Sequence, residues 1–229
     1  MVPLSSLETP ASSAELYAAL SEEDTAELSS RPLFTGDILR CSAGKTVALI
    51  QHPCAMRKGP SLNPELLCAL VRDTGAKYRS DWSNAPFDLC YLPGLTNTHA
   101  AISFRDITTI PAEAAAKAQR LAIMSLYGVT LLIQRWIHFS CRLVVPTTSL
   151  ADVFAGPFDE ADLVEDAVAN LVRTGWPVPD AEARVDQWLS GVSEESRISR
   201  RQRLNDPRQR SAVRREVRIL VEDAEPTGS

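Results

Sequence analysis

The stretch FTGDILRCSAGKTVALIQHPCAMRKG, residues 34–59, decides the fold of this 229-residue chain. Residues 37–40 and 46–51 read as two short strands, and Gly44 between them supplies the tight turn of a hairpin. Pro53 stops the second strand, and a polar loop with His52, Cys54 and Arg57 follows. We expect the chain as far as residue 146 to pack around this hairpin.

Alternation and propensity predict the elements on either side of the hairpin. A helix capped by Ser13 is expected at 14–20. The further strands are expected at 66–72, 87–92 and 99–110. The Ala-rich segment 112–123 has high helix propensity, and 126–143 is apolar on most faces, which is typical of a buried helix. The class is therefore α+β.

Composition points to a cytoplasmic globular protein. The chain is 45% hydrophobic and 23% charged, and its first ten residues lack the basic and apolar regions of a secretory signal. The five cysteines form no CxxC pair, which favours reduced thiols. Arg135 and His138 interrupt the most apolar run, so we predict a core helix there and no membrane association.

Charge is segregated along the chain. Residues 1–150 are neutral, residues 151–195 carry a net charge of −9, and residues 196–221 carry +7 with nine arginines. Helices are expected at 159–174, at 179–189 and after Pro207. We predict that the last folds back on the first, so that the charges cancel. The rival is an arginine arm held out for phosphate or for a partner.

Three segments carry a resemblance to a known family. GDIL at 36–39, KTVALIQ at 45–51 and AISFRDITTIP at 101–111 resemble the opening, second and late strands of the PemK/MazF-type toxins. Those proteins are small SH3-like β-barrels that cut RNA. The resemblance covers roughly residues 34–143. It implies an SH3-like barrel of five or six strands packed on the buried helix.

The chain departs from that family at three points. Gly44-Lys45 stands where the family has Arg-Arg-Pro before its second strand. The third strand ends in Leu70-Val71-Arg72 rather than in a Thr or Ser, and His52-Pro53-Cys54 replaces a polar loop.

The loop after the hairpin holds the candidate catalytic residues. In RNA cleavage, Arg57 would stabilise phosphate charge and His52 would act as acid or base. Cys54 beside these cations could be a thiolate nucleophile. A second interpretation makes Cys54 a small apolar plug, with His52 bonded to the backbone. A zinc site would combine His52 and Cys54 with Cys41, Cys68 or Cys90, but the chain has no CxxC pair, so we expect no metal and no cofactor.

A second loop supplies candidate nucleic-acid ligands. Basic and aromatic residues together suit single-stranded nucleic acid, because cations follow the backbone and rings stack on bases. The candidates in the two loops are Arg57, Lys58, Lys77, Arg79 and Trp82. The alternative is two solvated loops with no shared face.

These observations predict a helical lead at 1–33, a barrel with its closing helix at 34–146 and a charge-separated helical extension at 147–229. The favoured function is a nucleic-acid-binding or RNA-processing barrel of a bacterial defence or toxin–antitoxin system. One alternative is a non-enzymatic subunit that docks a protein partner through its helices at 150–222. Another is a thiol enzyme using Cys54. The sequence leaves a homodimer open.

Overall fold

The computed structural model describes residues 7–10, 12–21, 31–42, 44–58, 61–74, 87–95, 99–192 and 196–222. They divide into two compact units. The first comprises the described residues as far as Ser21 together with Leu33–Phe154; the second comprises Arg31, Pro32 and the described residues from Ala155 onward.

The chain is a mixed α+β protein, as predicted. Its strands are β1 (Tyr17–Ala19), β2 (Ile38–Arg40), β3 (Thr46–Leu49), β4 (Arg57–Lys58), β5 (Ser61–Leu62), β6 (Glu65–Asp73), β7 (Leu89–Tyr91), β8 (Ala100–Pro111) and β9 (Gln119–Met124). Its helices are α1 (Pro53–Met56), α2 (Ala112–Ala116), α3 (Leu126–Cys141), α4 (Thr147–Arg173), α5 (Val178–Ser190), α6 (Arg200–Leu204) and α7 (Arg210–Glu222). A short 3₁₀-helix, Ser13–Glu15, precedes β1.

A curled antiparallel sheet organises the first unit. Its strand order is β1-β9-β2-β3-β6-β8-β7, and the sheet curves into a half-barrel. The predicted β2–β3 hairpin is confirmed: Ile38 pairs with Ala48, and Gly44 has a φ of 76°. The Gly44 amide donates to the Cys41 carbonyl at 2.9 Å, which closes the turn.

The inner face of the sheet forms an apolar core. Leu39, Val47, Leu49, Leu66 and Cys68 belong to it. Val47, Leu49 and Ile102 are buried, as expected from alternation. The apolar strand pattern also predicts that Leu67 is buried, and this prediction is wrong, because Leu67 is partly exposed. Its neighbours Leu66 and Cys68 point into the core, so Leu67 faces the other side of β6.

The predicted helix at 112–123 is wrong beyond Ala116. The chain turns at Lys117 and becomes β9, which lies between β1 and β2. β9 buries Ala122 and Met124, and its Arg120 pairs with the buried Asp37 at 3.2 Å. Met124 lies so close to Gly36 that a Cβ there would stand 2.8 Å from the Met124 Cβ. Pairing and burial therefore override helix propensity.

The predicted helix at 14–20 is also wrong. Only Ser13–Glu15 is helical, as a 3₁₀ turn, and Tyr17–Ala19 is an edge strand paired with β9. Leu16 and Tyr17 are buried, and the Tyr17 hydroxyl donates to the Pro93 carbonyl at 2.5 Å. These tertiary contacts fix an extended backbone that a short local helix cannot match.

The apolar helix α3 starts after Ser125, whose side chain accepts from the Gly128 amide at 3.0 Å. It is buried along most of its length, including Arg135 at 1% and His138 at 4% exposure. Arg135 donates to the Glu8 carbonyl at 3.3 Å. Among the described residues, no helix combines the length and apolar composition needed to cross a bilayer.

The second unit confirms the predicted fold-back of its last helix. Val213 of α7 is fully buried in one cluster with Val168 and Leu171 of α4, and Val217 and Leu220 pack against that cluster. The helix predicted at 159–174 is longer than expected, because α4 starts at Thr147 and continues through Pro157. Glu8 holds this start: its carboxylate accepts from the Thr147 amide at 3.0 Å.

Candidate functional site

His52 stands where β3 leaves the sheet. It caps α1, and its Nδ1 accepts the backbone N–H of Cys54 at 3.2 Å. Its ring lies 4.8 Å from the Phe154 ring, measured between centroids. Nε2 is buried and has no hydrogen-bond partner in the described part of the chain. Burial lowers the pKa of His52, so the imidazole is neutral at neutral pH.

Cys54 is exposed. The imidazole that stands two residues earlier binds the amide of Cys54 through Nδ1. That nitrogen is therefore not free to take a proton from the thiol, as a Cys-His pair requires. The interpretation in which His52 bonds to backbone matches this geometry, but Cys54 is not the buried plug that this interpretation expected.

Arg57 binds the protein itself. Its Nη2 donates to the Leu33 carbonyl at 3.1 Å, and the side chain is half-buried. The bond fastens the segment before β2 to the start of β4. Gln51 braces the same loop, accepting from the Leu67 amide at 2.9 Å and donating to the Ala55 carbonyl at 2.8 Å. Lys58 ends β4, and its side chain lies outside what the structure describes.

The two buried thiols, Cys68 and Cys90, are inert by environment. Burial raises the pKa of Cys68 to about 12 and that of Cys90 to about 11. Within the described ranges, no three His, Cys, Asp or Glu side chains come together as a metal site would require.

Lys77, Arg79 and Trp82 lie outside the described residues. The described residues before this segment nevertheless show which end of β6 it follows. The loop with His52 and Arg57 leads toward the start of β6, whereas residues 75–86 follow its end at Asp73 and Thr74. A strand of nine residues separates those points by about 30 Å. The two loops of the predicted rim are thus attached at opposite ends of one strand.

Two cations that were not among the predicted site residues lie at the Asp73 end of β6. Val47 pairs with Leu70, so the β2–β3 turn lies level with the last residues of β6. Arg40 and Lys45 flank this turn and are exposed. The described ion pairs of the first unit join Arg72 to Asp106, Arg105 to Asp88 and Arg120 to Asp37, so neither Arg40 nor Lys45 is engaged there. In the sequence, the signal that could have identified Arg40 and Lys45 was the presence of a cation on each side of a tight turn.

A bulge in β8 places a polar cluster beside this end. The register shifts between Ala69 and Leu70, so residues 104–106 of β8 have no partner on β6. Arg72 binds Asp106 through two bonds of 2.6 and 2.8 Å, and the Ser103 hydroxyl donates to the same carboxylate at 2.6 Å. These hydrogen bonds lower the pKa of Asp106. Arg72 is thereby neutralised and is a weaker phosphate ligand than Arg40 or Lys45.

Comparison with known proteins found no protein-family model that matches the chain and no curated protein with significant sequence similarity to it.

Proposed function

We propose that the first unit is an SH3-like barrel of the PemK/MazF type that binds single-stranded nucleic acid and processes RNA in a bacterial defence or toxin–antitoxin system. The observation that carries the proposal is the strand order β9-β2-β3-β6-β8. In it, the meander β2-β3-β6-β8 is extended by a late strand, β9, which returns to pair with β2, and the short helix α2 comes just before β9. This order supports a small barrel, and β1 and β7 extend its edges.

The nucleic acid binds at the hairpin end of the sheet. Arg40 and Lys45 provide exposed positive charge there, free of the carboxylates that engage Arg72 and Arg105. Residues 75–86, with Lys77, Arg79 and Trp82, are attached to the same end through Thr74, whose amide donates to the His99 carbonyl at 2.8 Å. Cations beside an aromatic residue suit a single strand, because stacking on an aromatic ring tolerates any base.

Fluorescence anisotropy with a labelled 15-nucleotide RNA and the matching DNA tests this proposal. Affinity should fall with salt, and the double variant Arg40→Gln/Lys45→Gln should lower the slope of log K against log salt by about 1.4, the value for two phosphate contacts on a single strand. Arg173→Gln is the matched control, because Arg173 is an exposed cation at the end of α4 in the second unit and not part of the sheet. No binding at low salt, or an unchanged slope in the double variant, would refute the proposal.

RNA cleavage is tested at the other end of β6. His52→Asn keeps an oxygen that can cap α1 but removes the titrating group, whereas His52→Ala removes both. A catalytic His52 predicts that both variants lose cleavage of single-stranded RNA. Cleavage that survives in His52→Asn would limit His52 to its capping role.

A second function, docking of a protein partner by the second unit, is favoured by its ion pairs. Arg201 binds Glu160 and Asp186, Arg203 binds Glu216, and Arg214 binds Asp159. Arginines used in this way within the unit are poor candidates for phosphate binding. A pull-down of protein partners with the full chain and with its Ile219→Asp variant separates this function from nucleic-acid binding.

A further inference from the structure

A groove opens on the second unit between α5 and α7. Its volume is about 300 Å³, and it is lined by Arg184, Trp188, Arg200, Glu216, Ile219 and Leu220. Glu216 is held by Arg200 at 3.1 Å and by Arg203 at 2.7 Å. The only carboxylate of the lining is therefore neutralised by the protein's own arginines.

Arg184 is left without an acceptor in this groove. Its guanidinium stacks on Trp176 at 5.0 Å, and its Nε is shielded from water with no hydrogen-bond partner among the described residues. Among the described ion pairs none engages Arg184, so its guanidinium would attract an incoming carboxylate. Trp188 beside it is covered on one side by Arg200 at 4.8 Å and is only partly buried.

The outer face of α7 also combines apolar and positively charged side chains. Ile219 is 57% exposed, more than Val172 and Val178, the other exposed aliphatic side chains on the described helices of this unit. Arg215 is exposed one helical turn before Ile219, on the same side of α7. Within the described residues, Arg215 has no carboxylate partner; its Nε donates to the Ser211 carbonyl at 3.3 Å. The surface thus combines apolar side chains with unneutralised positive charge.

We propose that this α5–α7 groove docks an acidic amphipathic peptide segment of a protein partner. Apolar side chains of the peptide would pack on Trp188, Ile219 and Leu220, while its carboxylates would meet Arg184 and Arg215. Charge complementarity selects this occupant, because a basic peptide would meet like charge along α7.

Binding of designed probes to the full chain tests the inference. The probe is a fluorescein-labelled 15-residue peptide with leucines at helical spacing i, i+3, i+4 and i+7 and glutamates elsewhere. A peptide with lysine in place of each glutamate controls for apolar contact alone, and labelled oligo(dT) of 15 nucleotides controls for general attraction to arginine. The acidic peptide should bind, the lysine peptide should not, and Ile219→Asp should weaken binding about tenfold or more.

Substitutions within and outside the groove locate the contact. Arg184→Gln and Arg215→Gln should each weaken binding of the acidic peptide, whereas Val172→Asp should not, because Val172 is an exposed apolar residue of α4 that does not line the groove. Unchanged melting curves show that each variant is folded. Equal binding of the acidic and lysine peptides, binding that survives Ile219→Asp, or oligo(dT) binding that is lost in Arg184→Gln while no acidic peptide binds would each overturn the proposal.

Discussion

His52 shows how one residue can hold a structural and a candidate chemical role. Its Nδ1 is committed to the Cys54 amide, and its ring is covered by Phe154. Because burial lowers the pKa of His52 in the folded protein, the unfolded chain binds the proton more readily. The stabilisation is therefore complete above the unfolded pKa of about 6.5 and is lost as pH falls through the folded pKa.

We therefore expect wild type to lose stability relative to His52→Asn as pH falls below about 6.5. Urea unfolding of both proteins at a series of pH values measures this difference, and the titrations of all other groups cancel in it. A difference that stays constant with pH would mean that His52 has the same pKa in the folded and unfolded chain.

A second prediction at the residue scale concerns the stability that depends on the Asp37–Arg120 ion pair. Both side chains are buried, and Asp37 also accepts the Phe34 amide at 3.0 Å. Removing one partner of a buried pair leaves an uncompensated charge, so Arg120→Met should cost about 3–5 kcal/mol of unfolding free energy. Asp37→Asn/Arg120→Met should cost less than the sum of the two single variants, because no lone charge remains. An additive double variant would show that the pair does not couple the start of β2 to β9.

At the scale of elements, the sequence predicts a strand or helix correctly where its hydrophobic pattern matches the burial of the residues in the folded protein. The β2–β3 hairpin follows from alternation and Gly44, and the fold-back of α7 follows from apolar side chains at helical spacing. The segment after Ala116 could not be predicted in this way. Its alanines favour a helix, and only pairing with β1 and β2, which are distant in sequence, makes it a strand. For the same reason the site could not be assembled from sequence: which loops share an end depends on the register of β6.

Packing of β3 against β6 gives a matched pair of substitutions. Leu49 is fully buried in the inner core, whereas Leu67, next to Leu49's partner Cys68 on the neighbouring strand, is partly exposed on the other face. Leu49→Ala should therefore destabilise the protein by about 2–5 kcal/mol, and Leu67→Ala by clearly less. Denaturant titration of the two variants measures both values. Equal losses would contradict the assignment of one enclosed core on the inner face.

At the scale of the whole molecule, charge is sorted along the chain and then recombined within the second unit. The segment with a net charge of −9 and the segment with +7 meet through Arg201 with Glu160 and Asp186, and through Arg210 and Arg214 with Asp159. These pairs are partly exposed, so each contributes only about 0.2–1 kcal/mol. The buried Leu204 and Val213 contribute more through apolar burial, about 1.5–3 kcal/mol each.

Deleting the chain from Ser196 onward should therefore lower the melting temperature and expose the apolar faces of α4 and α5. The cluster around Val168, Leu171 and Val185 loses Leu204 and Val213, and the acidic segment loses the arginines that neutralise it. Calorimetry and binding of a dye that reports exposed apolar surface measure the two effects. High salt should restore only a small part of the lost stability, because it screens the repulsion between carboxylates but cannot replace the buried side chains. A deletion variant that melts at the wild-type temperature would mean that α6 and α7 contribute no net stability to the unit.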